Sequence, residues 1–412
     1  MHTSTSTPLT VGQRLQIRRR QRGLPRRVVA NLVGRSEEWL RLIESGQRPL
    51  NNIEALTRLA EVLRVDDPTE LIDWPAADPM PSQPGMDDLH PLRQVLLQHP
   101  ALGHPNDRTV DHLDPATLRS DIDECQQIWT SSRQRYSRLA SELPAVIDCA
   151  RWARWLRHDT ETAKLLCDIY LLTRSMLAAR GEHTLAGTVA DRALSTAAHT
   201  RLPLLVAASA WHLAAQLLHT KNPVASHDCA LAAVRRIIDL TATTVEAAAL
   251  SGALYLMAAH AAAVAADFGE SVQLVETARR VADELGAEHC VQGIAFGPFE
   301  VSVTEIETAL VQLNSARAVQ LAPKVDPVAE HTLDRRATYL LCQARAYVMH
   351  SDTTAATLAL MKAATASPEE VHYNVEAHRC LRYVAQRDNH LLRAELDQLV
   401  ELAGNPTSLP PS

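Results

Sequence analysis

The sequence predicts an all-α protein built from a small helical head, a proline-rich linker and a long body of helical repeats. Three observations carry this. Between residues 11 and 65 four short helical patterns follow one another, separated by glycine-containing breaks. Prolines then recur at 75, 79, 81, 84, 91, 100, 105 and 115, which excludes one continuous helix. From residue 116 onward Ala and Leu recur at helical spacing with hardly any strand signal, and the chain of 412 residues holds only 3 Phe, so its helices must pack through small side chains.

Residues 1–10, rich in Ser and Thr, predict a disordered start. The head, 11–73, predicts helices over 11–22, 26–33, 37–45 and 52–63. The breaks Gly23-Leu24-Pro25, Gly34-Arg35-Ser36 and Gly46-Gln47-Arg48-Pro49 carry stop and cap chemistry. Ser36 is an N-cap, and Gly46 takes the left-handed conformation that ends the third helix. Ile17, Val29, Leu32, Leu40, Ile43, Leu56 and Leu59 recur at helical spacing and are expected to form the core. The second and third helices read as a helix-turn-helix, whose second helix enters the DNA major groove.

Charge agrees with a polyanionic partner. Val11 to Val65 hold 12 Arg, no Lys and 5 Glu, a net of +7 in a chain of net charge -7, which leaves -14 for the rest. Such an acidic remainder is expected to stay off nucleic acid. Arg18, Arg26, Arg27, Arg35, Arg41 and Arg48 are the candidate phosphate contacts, with Ser36 beside them. A solvated basic face is the plainer reading of the same residues.

The stretches "GQRLQIRRRQRGL", "VGRSEEWLRLIESGQRPL" and "LTRLAEVLRV" resemble the XRE, or Cro/C1-repressor-type, helix-turn-helix family. The resemblance implies that Arg19 and Glu44 form a structural ion pair. It implies that Arg26, in a slot usually held by Gln, contacts or supports a phosphate, and that Glu37, Glu38 and Leu42 face bases. Relatives usually carry neutral or basic polar residues there. Two roles are open to the glutamates: favouring the helix through its dipole, worth about 0.3–1 kcal/mol, or accepting from the amino group of cytosine.

The linker, 74–115, accommodates one short helix, "PLRQVLLQH", at 91–99. Its histidines 90, 99, 104 and 112 are too irregularly spaced to predict a metal site. In the body, 116–405, a degenerate repeat places a turn residue ahead of small residues about five and twelve positions later, as in TPR solenoids. Gly181 with Ala186 and Ala193 fits, as do Ser351 with Ala356 and Ala363, and Lys221 with Ser226 and Ala233. Gly269 with Leu274 and Val281 fits loosely. The body is thus expected to be a TPR-like α-solenoid, an irregular helical bundle being the alternative. "RYSRLASELP", "FGPFEVSVTEIETAL", "DRRATYLLCQARAYV" and "ASPEEVHYN" resemble the TPR-like region of actinobacterial XRE-family regulators, with Asn314 and Ser351 at turns where relatives often carry Gly.

Solenoids of this kind recognise peptides, partner helices or small ligands. The segment "CARWARWLRH", 149–158, places Trp152 and Trp155 on one helix face and Arg151, Arg154 and His158 on another. Together with Tyr170, Arg174, Trp211 and His212, it is the candidate surface for a carboxylate or peptide terminus. The tryptophans equally suit an inter-helix gap.

The 7 Cys are scattered without a C-x-x-C pair and read as reduced, buried packing residues. The sequence has no G-x-x-x-x-G-K, G-x-S-x-G or H-E-x-x-H motif, so neither enzyme, metal nor cofactor is predicted. No signal peptide or membrane span is expected, which implies a cytosolic protein. The sequence therefore predicts a DNA-binding transcriptional regulator that binds double-stranded DNA as a homodimer, its body dimerising and sensing a peptide or small molecule. The alternative is a TPR-type interaction adaptor with a degenerate head.

Overall fold

The computed structural model describes residues 10–48, 50, 53–65, 71, 88–98, 100–102, 113–324, 332–387 and 392–404. These residues are all-α apart from one two-stranded hairpin. They divide into a head unit within residues 1–78, to which 312–314 are assigned, and a body unit of 79–311 and 315–412. The expectation for residues 1–9 and most of the linker lies outside the described residues.

The head contains α1 (Val11–Gln21), α2 (Arg26–Val33), α3 (Glu37–Glu44) and α4 (Ile53–Leu63). Thr10, expected to be disordered, is the N-cap of α1. Its hydroxyl accepts from Gln13 N while Gln13 Oε1 accepts from Thr10 N, closing a capping box on α1. Gly34, at φ 72°, ends α2. Ser36 then starts α3 by accepting from Trp39 N at 3.1 Å.

Leu15, Val29, Val33, Leu40, Ile43, Leu56 and Leu59 form the head core. Two expected members do not join it: Ile17 is 38% exposed and Leu32 60%. On α1 the inward positions are Leu15 and Arg19, and a residue two places after Leu15 turns to the opposite side. On α2 the inward face is Val29, Ala30 and Val33, which leaves Leu32 outside.

The body begins earlier than the linker boundary at 115. Helix α5 (His90–Leu97) sits in its core through Leu92 and Leu96. Asp88 accepts two hydrogen bonds from Arg180 at 2.7 Å, and Arg93 reaches Glu182 at 2.6 Å. There follow α6 (Pro115–Ser131), α7 (Arg135–Arg157), α8 (Thr160–Ala179), α9 (His183–Ala198), α10 (Pro203–His219), α11 (Pro223–Ile237), α12 (Val245–Val264) and α13 (Phe268–Leu285). After the hairpin β1 (His289–Val291) and β2 (Ile294–Phe296) come α14 (Pro298–Val311), α15 (Ser315–Leu321), α16 (Leu333–Met349), α17 (Thr353–Ala366), α18 (Pro368–Tyr373), α19 (Val375–Ala385) and α20 (Arg393–Ala403).

The repeat is written in the turns. Gly181, Lys221, Ala266, Leu313 and Ser351 all adopt positive φ between the helices of a pair. At four of them the same two backbone bonds close the turn, as Gly181 N to Ala178 O and Glu182 N to Leu177 O at 3.0 and 2.9 Å, and as Ala266 N to Ala263 O and Asp267 N to Ala262 O. This is the Schellman motif. Five and twelve residues on lie buried small side chains: Ala186 and Ala193, Ser226 and Ala233, Ser271 and Ala278, Ala356 and Ala363. The third unit is therefore registered on Ala266, not on Gly269, which lies inside α13. The fourth turn falls on Leu313 rather than Asn314, with Ala318 five places later. The turns lie further apart than the usual TPR period of about 34 residues.

Within each pair the two helices pack antiparallel, and successive first helices pack on one another: α8 on α10, α10 on α12, α12 on α14, α14 on α16, α16 on α19. The series returns to its start, since α6 packs on α16 and α18 on α7. A buried ion pair, Arg135 to Glu370 at 2.5 Å, seals that return. Around it Tyr136 OH donates to Glu370, and Ser367 Oγ donates to Arg133 O at 2.7 Å.

Two findings depart from the sequence reading. The hairpin pairs Val291 with Ile294 around Gln292 and Gly293, both at positive φ, and seats Phe296 against Gly252 of α12. In addition, α12 is long and apolar enough to cross a membrane; it is a core helix of the body, with 72% of its apolar window buried. Replacing Ala266 by Gly, which holds the left-handed conformation without a β-carbon clash, is expected to stabilise the protein by about 1 kcal/mol. Gly252→Ala, whose new β-carbon overlaps the Phe296 ring, is expected to cost roughly 1–3 kcal/mol. Urea unfolding midpoints of the full-length protein check both.

Candidate nucleic-acid interface and the inner wall of the body

One carboxylate organises the head. Glu44, at the end of α3, has a side chain 1% exposed and takes both Arg19 and Arg26. Arg19 Nε and Nη2 donate to its two oxygens at 2.6 and 3.1 Å, and Arg26 Nε donates at 2.6 Å. Arg19 also donates to Leu24 O at 2.8 Å, which fixes the turn between α1 and α2. Burial opposes ionisation of Glu44, yet the hydrogen bonds and charges of the two guanidiniums hold its pKa below the ordinary carboxylate value. The three helices meet closely enough that a β-carbon at Gly12 of α1 would overlap the carbonyl of Ile43 in α3.

This frame leaves one side of α3 to solvent. Leu40, Ile43 and Glu44 point inward, while Glu37, Glu38 and Arg41 are exposed and Leu42 is half-buried. Glu38 and Arg41 hold each other: the guanidinium donates two bonds of 2.7 Å to the carboxylate, whose pKa falls chiefly through that hydrogen bonding. Glu37, in the first turn, complements the helix dipole. Arg18, Arg27, Arg35 and Arg48 are exposed on α1, at the start of α2, in the turn and after α3. Arg35 lies over the ring of Trp39 at 5.9 Å. Arg26, like Arg41, has its Nε on a carboxylate, in its case the buried Glu44. Ser36 is committed too, as the cap of α3.

Sequence reasoning overlooked Gly12, Thr10 and Trp39. The T-x-x-Q signal of the capping box was present at Thr10 and Gln13; the close approach at Gly12 has no local signature.

Residues 10–72 match the family model of a helix-turn-helix domain. No curated protein matches the chain. The head is a helix-turn-helix DNA-binding domain, and the protein is, at the level of class, a DNA-binding regulator of transcription.

In the body, the eight candidate ligand residues fall into three places. Arg151 is buried and donates to Val95 O and Gln98 O, so it caps α5. Trp152 is buried nearby, and the charges of Arg151 and Arg192 act on buried Tyr170. Arg154 donates to Asp159 O at 3.2 Å, and Trp155 is exposed with His158 at the end of α7. Arg174, Trp211 and His212 lie elsewhere, on α8 and α10; Trp211 Nε1 donates to Ala253 O and its ring meets His212 edge-on at 5.0 Å.

The first helices carry a ladder of charge that sequence reasoning did not find. His260 of α12 lies 3.4 Å from Glu307 of α14, Arg345 of α16 lies 4.0 Å from Glu307 and 3.5 Å from Glu376 of α19, and Arg379 pairs with Glu376 at 2.5 Å. Stacked rings of His183 and His219, 4.5 Å apart, stand beyond it. Burial, with the charge of Arg174 and the neighbouring imidazoles, pushes His219 down to about 3. From His260 to Arg379 the ladder spans 119 positions of sequence, and no motif links its members. Of the cysteines, Cys290 on β1 is exposed and Cys229 half-buried, against the expectation that all are buried.

Glu44→Gln leaves two guanidiniums around a neutral amide and is expected to destabilise the head by about 3–5 kcal/mol at neutral pH. Because the folded pKa of Glu44 is lowered, its contribution is full above a pH of about 4.3 and is lost as pH falls through the folded value. The difference between wild type and variant in denaturant unfolding should therefore shrink in acid.

Proposed function

We propose that the protein is an XRE-type transcriptional regulator, of the kind found in actinobacteria. It binds an inverted operator as a homodimer in the cytosol, and its TPR-like body dimerises and senses a small molecule or peptide without catalysing a reaction. The observation that carries the DNA-binding part is the exposed set of Arg18, Arg27, Arg35 and Arg48 around a capped α3 held in place by Glu44. Phosphate contacts supply most of the affinity of such a head, and two-fold symmetry is how so small a module gains specificity.

The Glu38–Arg41 pair changes how bases are read. A carboxylate already satisfied by an arginine presents the pair to the groove as a nearly neutral polar unit, which is how α3 tolerates two glutamates near phosphates. The same pair supports the second reading, an interaction adaptor whose head no longer reads sequence, since it removes Arg41 as an independent contact.

Anisotropy titration of full-length protein against the region upstream of its own gene separates these readings. Binding is expected to weaken linearly with log salt, with a slope near -0.9 per phosphate contacted. Arg35→Ala and Arg48→Ala are each expected to reduce the slope by about 1 and to weaken all sequences alike. Glu38→Gln, which frees Arg41, is expected to strengthen non-specific binding. Salt-insensitive or absent binding would establish the adaptor instead.

A further inference from the structure

We infer that the body binds a small organic carboxylate between α8 and α10, its two oxygens on the Nε–Nη2 edge of Arg174 and His212 beside them. This deepens the reading of the body as a sensor and rests on it. Arg174 of α8 is 5% exposed, and neither its Nε nor its Nη2 has an acceptor among the described residues. That edge is the one with which Arg19 grips both oxygens of Glu44 in the head, so the chain itself shows what the fork accepts. His212 of α10 is 3% exposed, and both its ring nitrogens lack partners among the described residues. On the same face of α10, Ser209 Oγ and Gln216 Oε1 are also unpartnered.

The charge balance singles out this end of the wall. Arg345 and Arg379 have Glu307 and Glu376 beside them, whereas burial alone acts on Arg174, lowering it to about 10 with no carboxylate among the described residues to offset the loss. A buried guanidinium without an anion is costly. Burial and the charge of Arg174 hold the His212 imidazole neutral, so it donates at one nitrogen and accepts at the other. Enclosure sets the size: two anchors this buried suit a small acid, and an extended peptide would not reach them.

The test uses full-length protein and sodium acetate as the probe, with sodium chloride and sodium phosphate at equal ionic strength as controls. Thermal unfolding of the wild type is expected to rise with acetate by roughly 2 °C or more and then saturate, with no such rise in chloride or phosphate. Arg174→Gln is expected to lose the acetate response while unfolding, in acetate-free buffer, at or above the wild-type temperature, because it removes an uncompensated buried charge. His212→Leu is expected to need at least about ten times more acetate, an effect of one lost hydrogen bond to a charged group. An equal response in wild type and Arg174→Gln, no saturable rise, or saturation by phosphate alone overturns the proposal. DNA binding of the same preparations separates the two readings: a wild type that ignores DNA yet saturates with acetate refutes the regulator and keeps the carboxylate site.

Discussion

Everything the head presents to solvent depends on a single buried carboxylate. Glu44 satisfies Arg19 from α1 and Arg26 from α2 while belonging to α3, so one side chain fixes the mutual angles of three short helices. Helices of eight to eleven residues are marginal alone in water. The small core of Leu15, Val29, Leu40, Ile43 and Leu59 holds them together, and the ion triad selects one orientation among those such a core permits. Gly12 completes the constraint by letting α1 touch the backbone of α3.

The consequence for recognition is a division of labour among arginines that look alike in the sequence. Arg19 and Arg26 build the head, Arg41 is balanced by Glu38, and Arg18, Arg27, Arg35 and Arg48 stand outward. Net charge alone counts all of these equally. Geometry separates those that build the head from those left exposed on its surface.

Much of this was legible in the sequence, for local reasons. Glycines 23, 34 and 46, the Ser36 cap and the basic count set out the head, and small residues five and twelve places past a turn set out the repeats. The misreadings share another cause. Ile17 and Leu32 fit a helical period but sit on its wrong phase, which only the partner helices decide. The Ala266 turn was hidden because alanine in a left-handed conformation has no sequence signal, and nearby Gly269 drew the register three places on. The hairpin at 289–296 did carry a cue, Gln-Gly between β-branched residues, diluted by a long helical context. The nearness of Arg174 to His212, and the ladder from His260 to Arg379, come from helices separated in the chain, so no window of sequence contains them.

The return of the helical series onto itself has a bearing on how such a body changes over generations. An open stack of repeats grows or shrinks by whole units, since each touches only its neighbours. Here Arg135 must find Glu370 and α6 must find α16 across all the intervening pairs. Duplicating or deleting one pair would pull that seam apart, so the number of units is locked, and the body can change only by exchanging side chains within the existing set.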